Sequence, residues 1–464
     1  MVITLSLILQ MVGIALLMTA LYLIIGIIPG TDETSVLVPM TLILVTLKLN
    51  PLVIMAGFMA AVVTLNIADS IPTAITSIPG GVMSTPLVGH SQTLKKHGYT
   101  SYSVQWMMLG SLIGVLVSFP IALAFWGLFE FISVQTGIEI SNFIKKYNEY
   151  IFLGGAILMS LTNKEKLICL LSIIPFGFVT AFLRNPGLVV NNTLLNAFIG
   201  GRKLSMTPFF LSITTGPLLF ALFELMFPNV FKSQKVEGKM TVILDDVIKK
   251  SEKGHKRIIR KTGIASAIGS LLFFMSPVGV TMMLGEFSTK NEKDEVQQAL
   301  QGVSVVNGLS SATYLAGIMI SLFVFAFPIS PAALGPGSVI FDKAGSPIIL
   351  ADYAGLAVPK GNLLVAIIIG LVIGLSITVS LGMKYSHKMT ELVFKYISQE
   401  TVLIFLFSII ALLSFAEAGI YGLIIVVGVG LLSGWLNKKG AGYGVQFMAL
   451  YAGGLFITIL KALF

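Results

Sequence analysis

The chain is poor in the residues from which most soluble active sites are made. Of its 464 residues one is a cysteine, Cys169, and four are histidines: His90, His97, His255 and His387. One cysteine excludes a disulfide within the chain, and histidines scattered without ligand spacing give no basis for a metal site. Charge is scarce too: Asp, Glu, Lys and Arg make up 11% of the residues, against about 25% in a typical soluble domain. No HExxH, GxSxG or Walker pattern occurs. An intramembrane lipid enzyme would need a clustered acid and base constellation, and the sequence shows none. The short alternating segments of a membrane β-barrel are also missing. The opening stretch MVITLSLILQ has no charged n-region and no cleavage signature, so it reads as the start of a retained first helix.

What fills the chain is apolar. Hydrophobic residues make up 55%, the mean hydropathy is +0.93, and runs long enough to cross a bilayer recur from end to end. The expected fold class is an all-α polytopic membrane protein with about twelve membrane segments, some broken or re-entrant. Clean spans are expected at 103–127 and 362–383, and interrupted ones at 207–227, broken by Gly216-Pro217, and at 263–285, broken at Ser276-Pro277. The run VLVPMTLILVTL ending at Leu47 is short for a span, which suits a re-entrant element.

The net charge of +9 has a plain source. Residues 232–261 carry ten Lys or Arg against four Asp or Glu, the pattern of a positive-inside loop. We assign this linker, 230–262, to the cytoplasmic side of the cell membrane, as a seam between a first membrane repeat, 1–229, and a second, 263–464. The basic balance therefore does not point to nucleic acid.

Polar residues are concentrated where lipid would not tolerate them. Asn66, Asp69, Ser70, Thr73, Thr76, Ser77 and Gly80 recur at helical steps of three and four, as one stripe. Pro72 interrupts this stripe and Pro79-Gly80-Gly81 ends it. Broken backbone at membrane depth is tolerated only where protein or a water-filled cavity covers it. In the second half Ser304, Asn307, Ser311 and Tyr314 repeat the texture before Pro328-Ile329-Ser330. Pro29 and Pro79 lie 50 residues apart, and Pro277 and Pro328 lie 51 apart. Paired broken segments in two halves are the sequence mark of a transport site at a repeat interface.

Here the chain resembles the large permease subunit of the tripartite tricarboxylate transporters. Ile28-Pro29-Gly30 is similar to the family's early break, and Ser77-Ile78-Pro79-Gly80 to its Asn-Ile-Pro-Gly turn. Thr85 to Gly98 and Gly216 to Glu224 follow in order, then Gly302-Val303 to Ser310-Ser311-Ala312, and Ala326 to Ser330. Asn307 stands where the family has Glu, Ser310 and Ser311 where it has Asn, Val88 where it has Asp, and Ala68 and Asp69 where it has Gly. The resemblance implies a permease working with a small membrane subunit and a separate solute-binding protein.

Together these readings give a secondary transporter of a small organic anion, a carboxylate, coupled to Na⁺ or H⁺. No cofactor beyond a coupling Na⁺ is expected, and a homo-oligomer is open. The substrate is expected on Asn66, Ser70, Thr73, Ser77, Gly80, Gly81, Asn307, Ser310, Ser311 and Ser330, and the coupling ion on Asp69, Asp32, Glu33 and Thr76. Each has a structural alternative: Asp32 and Glu33 can cap a helix, and hydroxyls can tie helices together. Asp69 can pair structurally, and the breaks can be hinges. A channel-like or structural subunit of a larger complex is the other reading.

Overall fold

The structure, a computed structural model, describes residues 3–28, 33–76, 80–81, 83–137, 140–163, 165–185, 207–226, 254–275, 277–290, 292–326, 328–341, 358–396 and 399–463. The helices of the first half are α1 (Leu5–Gly26), α2 (Glu33–Thr46), α3 (Pro51–Ala68), α4 (Ser70–Thr76), α5 (Val88–Lys96), α6 (Thr100–Thr136), α7 (Ile140–Thr162), α8 (Lys166–Arg184) and α9 (Thr207–Met226). Those of the second half are α10 (His255–Leu271), α11 (Pro277–Thr289), α12 (Glu295–Ile320), α13 (Pro331–Leu334), α14 (Lys360–Tyr396), α15 (Gln399–Lys438), α16 (Tyr443–Tyr451) and α17 (Gly453–Leu463).

Among the described residues seven helices are long and apolar enough to cross a membrane, and the bent pair Gly444–Tyr451 and Gly453–Ala462 makes up to eight if it forms one span. Shorter apolar helices cover Val36–Thr46, Glu149–Leu161 and Thr215–Glu224. The chain is thus a polytopic helical membrane protein, and about twelve segments are compatible with this inventory. Local chemistry sets several ends. Asn50 caps α3 by accepting from the Leu52 N–H, and Pro51 occupies the first turn, where its missing N–H is harmless. Asp294 caps α12 through the Gln297 N–H, and Gly137 ends α6 in the left-handed region at φ 66°.

Several expectations shift. The span expected at 103–127 extends over 37 residues, and α9 continues through Gly216-Pro217. Residues 399–438 form one helix kinked at Ala418 and Gly419. α10 starts at His255, so the end of the basic linker is helical; residues 227–253 lie outside the described ones. The polar stripe is not on one helix either. α3 stops at Ala68, and Asp69 closes its last turn before α4 begins.

The two halves share a plan. α1 and α3 run in the same direction, with Gly26 against Ala68, and α2 returns between them so that Leu44 lies against Gly57. In the second half α10 and α12 run together, Thr262 bonding Ser304. α11 returns, with Gly285 against Val306. The breaks between α1 and α2 and between α10 and α11 are where Pro29 and Pro277 suggested them. α3 and α12 cross in opposite directions: Asn66 meets Ser310 and Ser311, while Ser70, just beyond the end of α3 at the start of α4, meets Asn307, which is earlier in α12. The halves are therefore inverted relative to each other, as in many transporters.

Glycines lock this arrangement. A Cβ on Gly110 or Gly114 of α6 would overlap the carbonyl oxygens of Ser304 and Gly308 in α12. On Gly370 or Gly374 of α14 it would crowd those of Ala56 and Ala60 in α3. The two receiving pairs, Ala56 with Ser304 and Ala60 with Gly308, are each separated by 248 residues, and the glycine pairs by 260. Each half thus lends one small-xxx-small helix to the long buried helix of the other.

The helices fall into two groups by packing. α1 to α6 and α10 to α14 surround the crossing, and α7, α8, α9 and α15 to α17 form a second bundle. Both halves contribute to both groups. The groups meet through α2, which touches α9 and α15, and through α13 and the stretch Ser321–Phe325, which touch α16 and α7.

Candidate functional site at the helix crossing

The crossing is built from the most buried helices of the chain. Every residue of α3 is buried, as is every residue of α12 from Ala299 onward. Asn66 lies fifteen residues into α3 and Ser310 fifteen residues into α12, so both sit about 22 Å from the start of their helices. Burial without water forces polar groups to find partners. Asn66 Oδ1 accepts the hydroxyls of Ser310, at 3.2 Å, and Ser311, at 3.0 Å. Asn307 Nδ2 donates to Ser111 Oγ and the Met107 carbonyl, both at 2.8 Å, and to Ser70 Oγ at 3.3 Å. One exception stands out: Asn66 Nδ2 is buried and has no hydrogen-bond partner among the described residues.

The first break folds back onto this junction. A Cβ on Gly80 would overlap the Asp69 carbonyl, so only glycine lets the returning chain come this close. Thr73 Oγ1 accepts the Gly80 N–H at 3.0 Å, and Ser84 Oγ accepts the Gly81 N–H at 2.9 Å. The N–H groups of Gly80 and Gly81 are thus taken up within the break and do not face a ligand.

Asp69 and Glu33 meet beside it. Asp69 is 2% exposed and Glu33 1%, and the two buried carboxyl groups are close enough to interact electrostatically. Oε1 of Glu33 has no partner among the described residues. The sequence named both residues but gave no sign that they touch, because their contact depends on α2 folding back along α3.

The remaining expected residues separate from this centre. Thr76 donates to the Pro72 carbonyl at 2.7 Å, filling the acceptor of its own short helix. Ser330 caps α13 through the Ala333 N–H at 3.1 Å and lies against Gly317 and Ser321 at the second break. Asp32 and Ser77 lie outside the described residues. Ser111 was missed, since a serine in a long apolar helix carries no signal until Asn307 is placed opposite it. Thr64, bonded to Thr378 of α14 at 3.1 Å, was missed for the same reason.

These positions coincide with a family. A family model described as Tripartite tricarboxylate transporter TctA family matches residues 12–444. The chain belongs to that family. No curated protein and no solved structure matches it significantly. TctA membership makes this a component of a tripartite transporter, in a transporter rather than an enzyme family, and implies a solute-binding protein and a small membrane subunit as partners. The multi-pass architecture agrees with that role.

Thr73 offers a local test. Replacing it by Val leaves the buried Gly80 N–H without its acceptor, which is expected to destabilise the protein by about 1–3 kcal/mol. Thr76→Ala is expected to stay within about 0.5 kcal/mol. Chemical denaturation of the two purified variants measures both; equal losses would mean that the Thr73 bond does not hold the break.

Proposed function

We propose that this TctA-family chain is a secondary active permease for a small organic anion, a carboxylate, coupled to Na⁺ or H⁺. The observation that carries this reading is the crossing itself. Two inverted, fully buried helices, one from each half, place amide and hydroxyl groups against each other beside a helix break. Burial this complete is hard to explain for a polar cluster whose only task is to hold helices together, since apolar packing would do so without unpaired donors.

The coupling ion is assigned to Glu33 and Asp69. Two carboxyl groups buried this close repel each other when both are ionised, so a proton held between them lowers the cost. A cation such as Na⁺ can take the place of that proton, as oxygen ligands suit it. At the 248-residue offset between the halves, Asp69 and Glu33 correspond to Gly317 and Thr281, neither of which is ionisable. The reading therefore has one coupling centre, on the first half. Polar and ionisable residues inside a membrane are expensive and usually mark ion or substrate routes.

Orientation follows from charge. His255, at the start of α10, bonds Tyr102 near the start of α6 at 2.7 Å, and His387 of α14 bonds Ser101 at 2.7 Å. These contacts gather Lys256, Arg257, Arg260, Lys384 and Lys388 at one end of the molecule. By the positive-inside rule that end and the linker are cytoplasmic, in the cell membrane.

The test is uptake by the purified chain in proteoliposomes, with and without its partner subunits, under an imposed Na⁺ or pH gradient. Carboxylate accumulation driven by one of the two gradients is the expected result. Passive, gradient-independent flux would instead make it a channel-like subunit.

A further inference from the structure

The substrate class can be narrowed on the basis of the transporter reading above. We propose that the crossing selects a carboxylate with one negative charge and a small apolar body, and disfavours a tricarboxylate.

Three observations lead there. The first is the open donor. Asn66 is 3% exposed, its Oδ1 is occupied by two serine hydroxyls, and its Nδ2 has no partner among the described residues. A buried amide donor left open is a place for an acceptor oxygen.

The second is the space beside that donor. A cavity of about 10 Å³, the size of a single water-sized group, is lined by Asn66 and Ser311 on one side. Met59, Val62, Val63, Leu315 and Leu371 form the rest of its wall together with Tyr314. Beyond one acceptor, these walls offer mostly hydrocarbon, so a ligand held there is matched by a short alkyl group. Leu371 belongs to α14, and a body larger than one water is admitted when the Met59 and Leu371 side chains turn aside, with the glycine-packed backbones of α3 and α14 left in place.

The third is charge. Residues 51–76, 101–136, 296–325 and 361–383, which supply α3, α4 and the apolar parts of α6, α12 and α14, contain no Lys, Arg or His; the basic side chain against α12 is His90 of α5, which lies on Gly302. The acidic groups nearby are Asp69 and Glu33. Anion binding then rests on neutral donors in a region of low dielectric, where each further negative charge on the ligand is penalised by desolvation and by the acid pair. One ligand charge can be balanced by one coupling cation on that pair; three cannot.

The test is a thermal-shift titration of the full-length purified chain with propionate, butyrate, succinate and citrate, at constant pH, Na⁺ and ionic strength. A ligand that binds only the folded state raises Tm in proportion to its occupancy. Propionate or butyrate is expected to bind at least about 10-fold more tightly than citrate, and Asn66→Leu to weaken that binding at least about 10-fold. Val62→Phe, which fills the cavity and keeps Asn66, is expected to do the same and serves if Asn66→Leu does not fold. Tighter binding of citrate or succinate would overturn the charge selection while leaving the transporter reading intact. Unchanged binding in both variants would overturn the location. Stabilisation of wild type by Na⁺ alone, lost in Asn66→Leu, would mean that the amide oxygen faces the cavity and holds a cation, which also overturns the proposal. If none of the four compounds shifts Tm and none is taken up, the transporter reading fails with it.

Discussion

Gradient-driven uptake is expected to fall at least about 100-fold in Asp69→Asn, while the protein stays folded. The physical reason is the pairing with Glu33. Asp69 and Glu33 are 2% and 1% exposed and lie close enough to interact, so exchanging the proton or cation between them changes a buried charge. An amide is nearly isosteric and can still donate to the Glu33 carboxyl, which preserves the contact, but it cannot be charged or neutralised during a cycle. Substrate counterflow at equal ion concentrations, which needs no net ion movement, is expected to survive in the variant. Proteoliposome uptake under a gradient, compared with counterflow, separates the two. Full gradient-driven uptake by Asp69→Asn would remove the pair from the coupling mechanism.

The second large effect concerns the join between the halves. Gly110→Val and Gly370→Val are each expected to destabilise the protein by about 3 kcal/mol or more, because even a Cβ at either position overlaps a carbonyl oxygen of the facing helix. The inverted arrangement makes a sharper statement: the two losses should be alike, since Ser304 faces Gly110 as Ala56 faces Gly370. Gly127→Ala is the control, because a Cβ there meets nothing within 4 Å. It is expected to leave stability unchanged or raise it by up to about 1 kcal/mol, as alanine favours helix. Melting in detergent measures all three. A wild-type melting point for Gly110→Val would mean that α6 and α12 are not closely packed.

Some of this was legible along the chain. The breaks between α1 and α2, after Asp69, between α10 and α11 and near Pro328 follow from Pro and Gly in apolar runs, where proline removes a ladder hydrogen bond, although α9 shows that a helix can continue through Pro217. Gly110 and Gly114, four residues apart in an apolar run, have a close-packing spacing. The same spacing at Gly370 and Gly374 was equally visible and was missed. Asn66, Asn307, Ser310 and Ser311 were named as one site, and the structure brings these four together. Thr76 and Ser330 were chosen by the same periodicity, yet Thr76 bonds its own helix and Ser330 caps a short one. Periodicity identifies a polar face; it cannot tell which of its hydroxyls are consumed by local carbonyls and N–H groups.

Composition and hydropathy alone settled that the chain is helical and crosses a membrane many times, because a backbone in hydrocarbon must satisfy its own hydrogen bonds. Proline spacing marked two related halves. Only the tertiary structure decided that the halves run in opposite directions, that each lends its glycine-spaced helix to the other, and that Glu33 meets Asp69. Those facts depend on contacts between residues far apart in the chain, such as Asn66 with Ser310. Local propensity carries no information about which buried polar group a distant segment will supply. The partner is fixed by how closely the backbones approach, and that was set by the glycines.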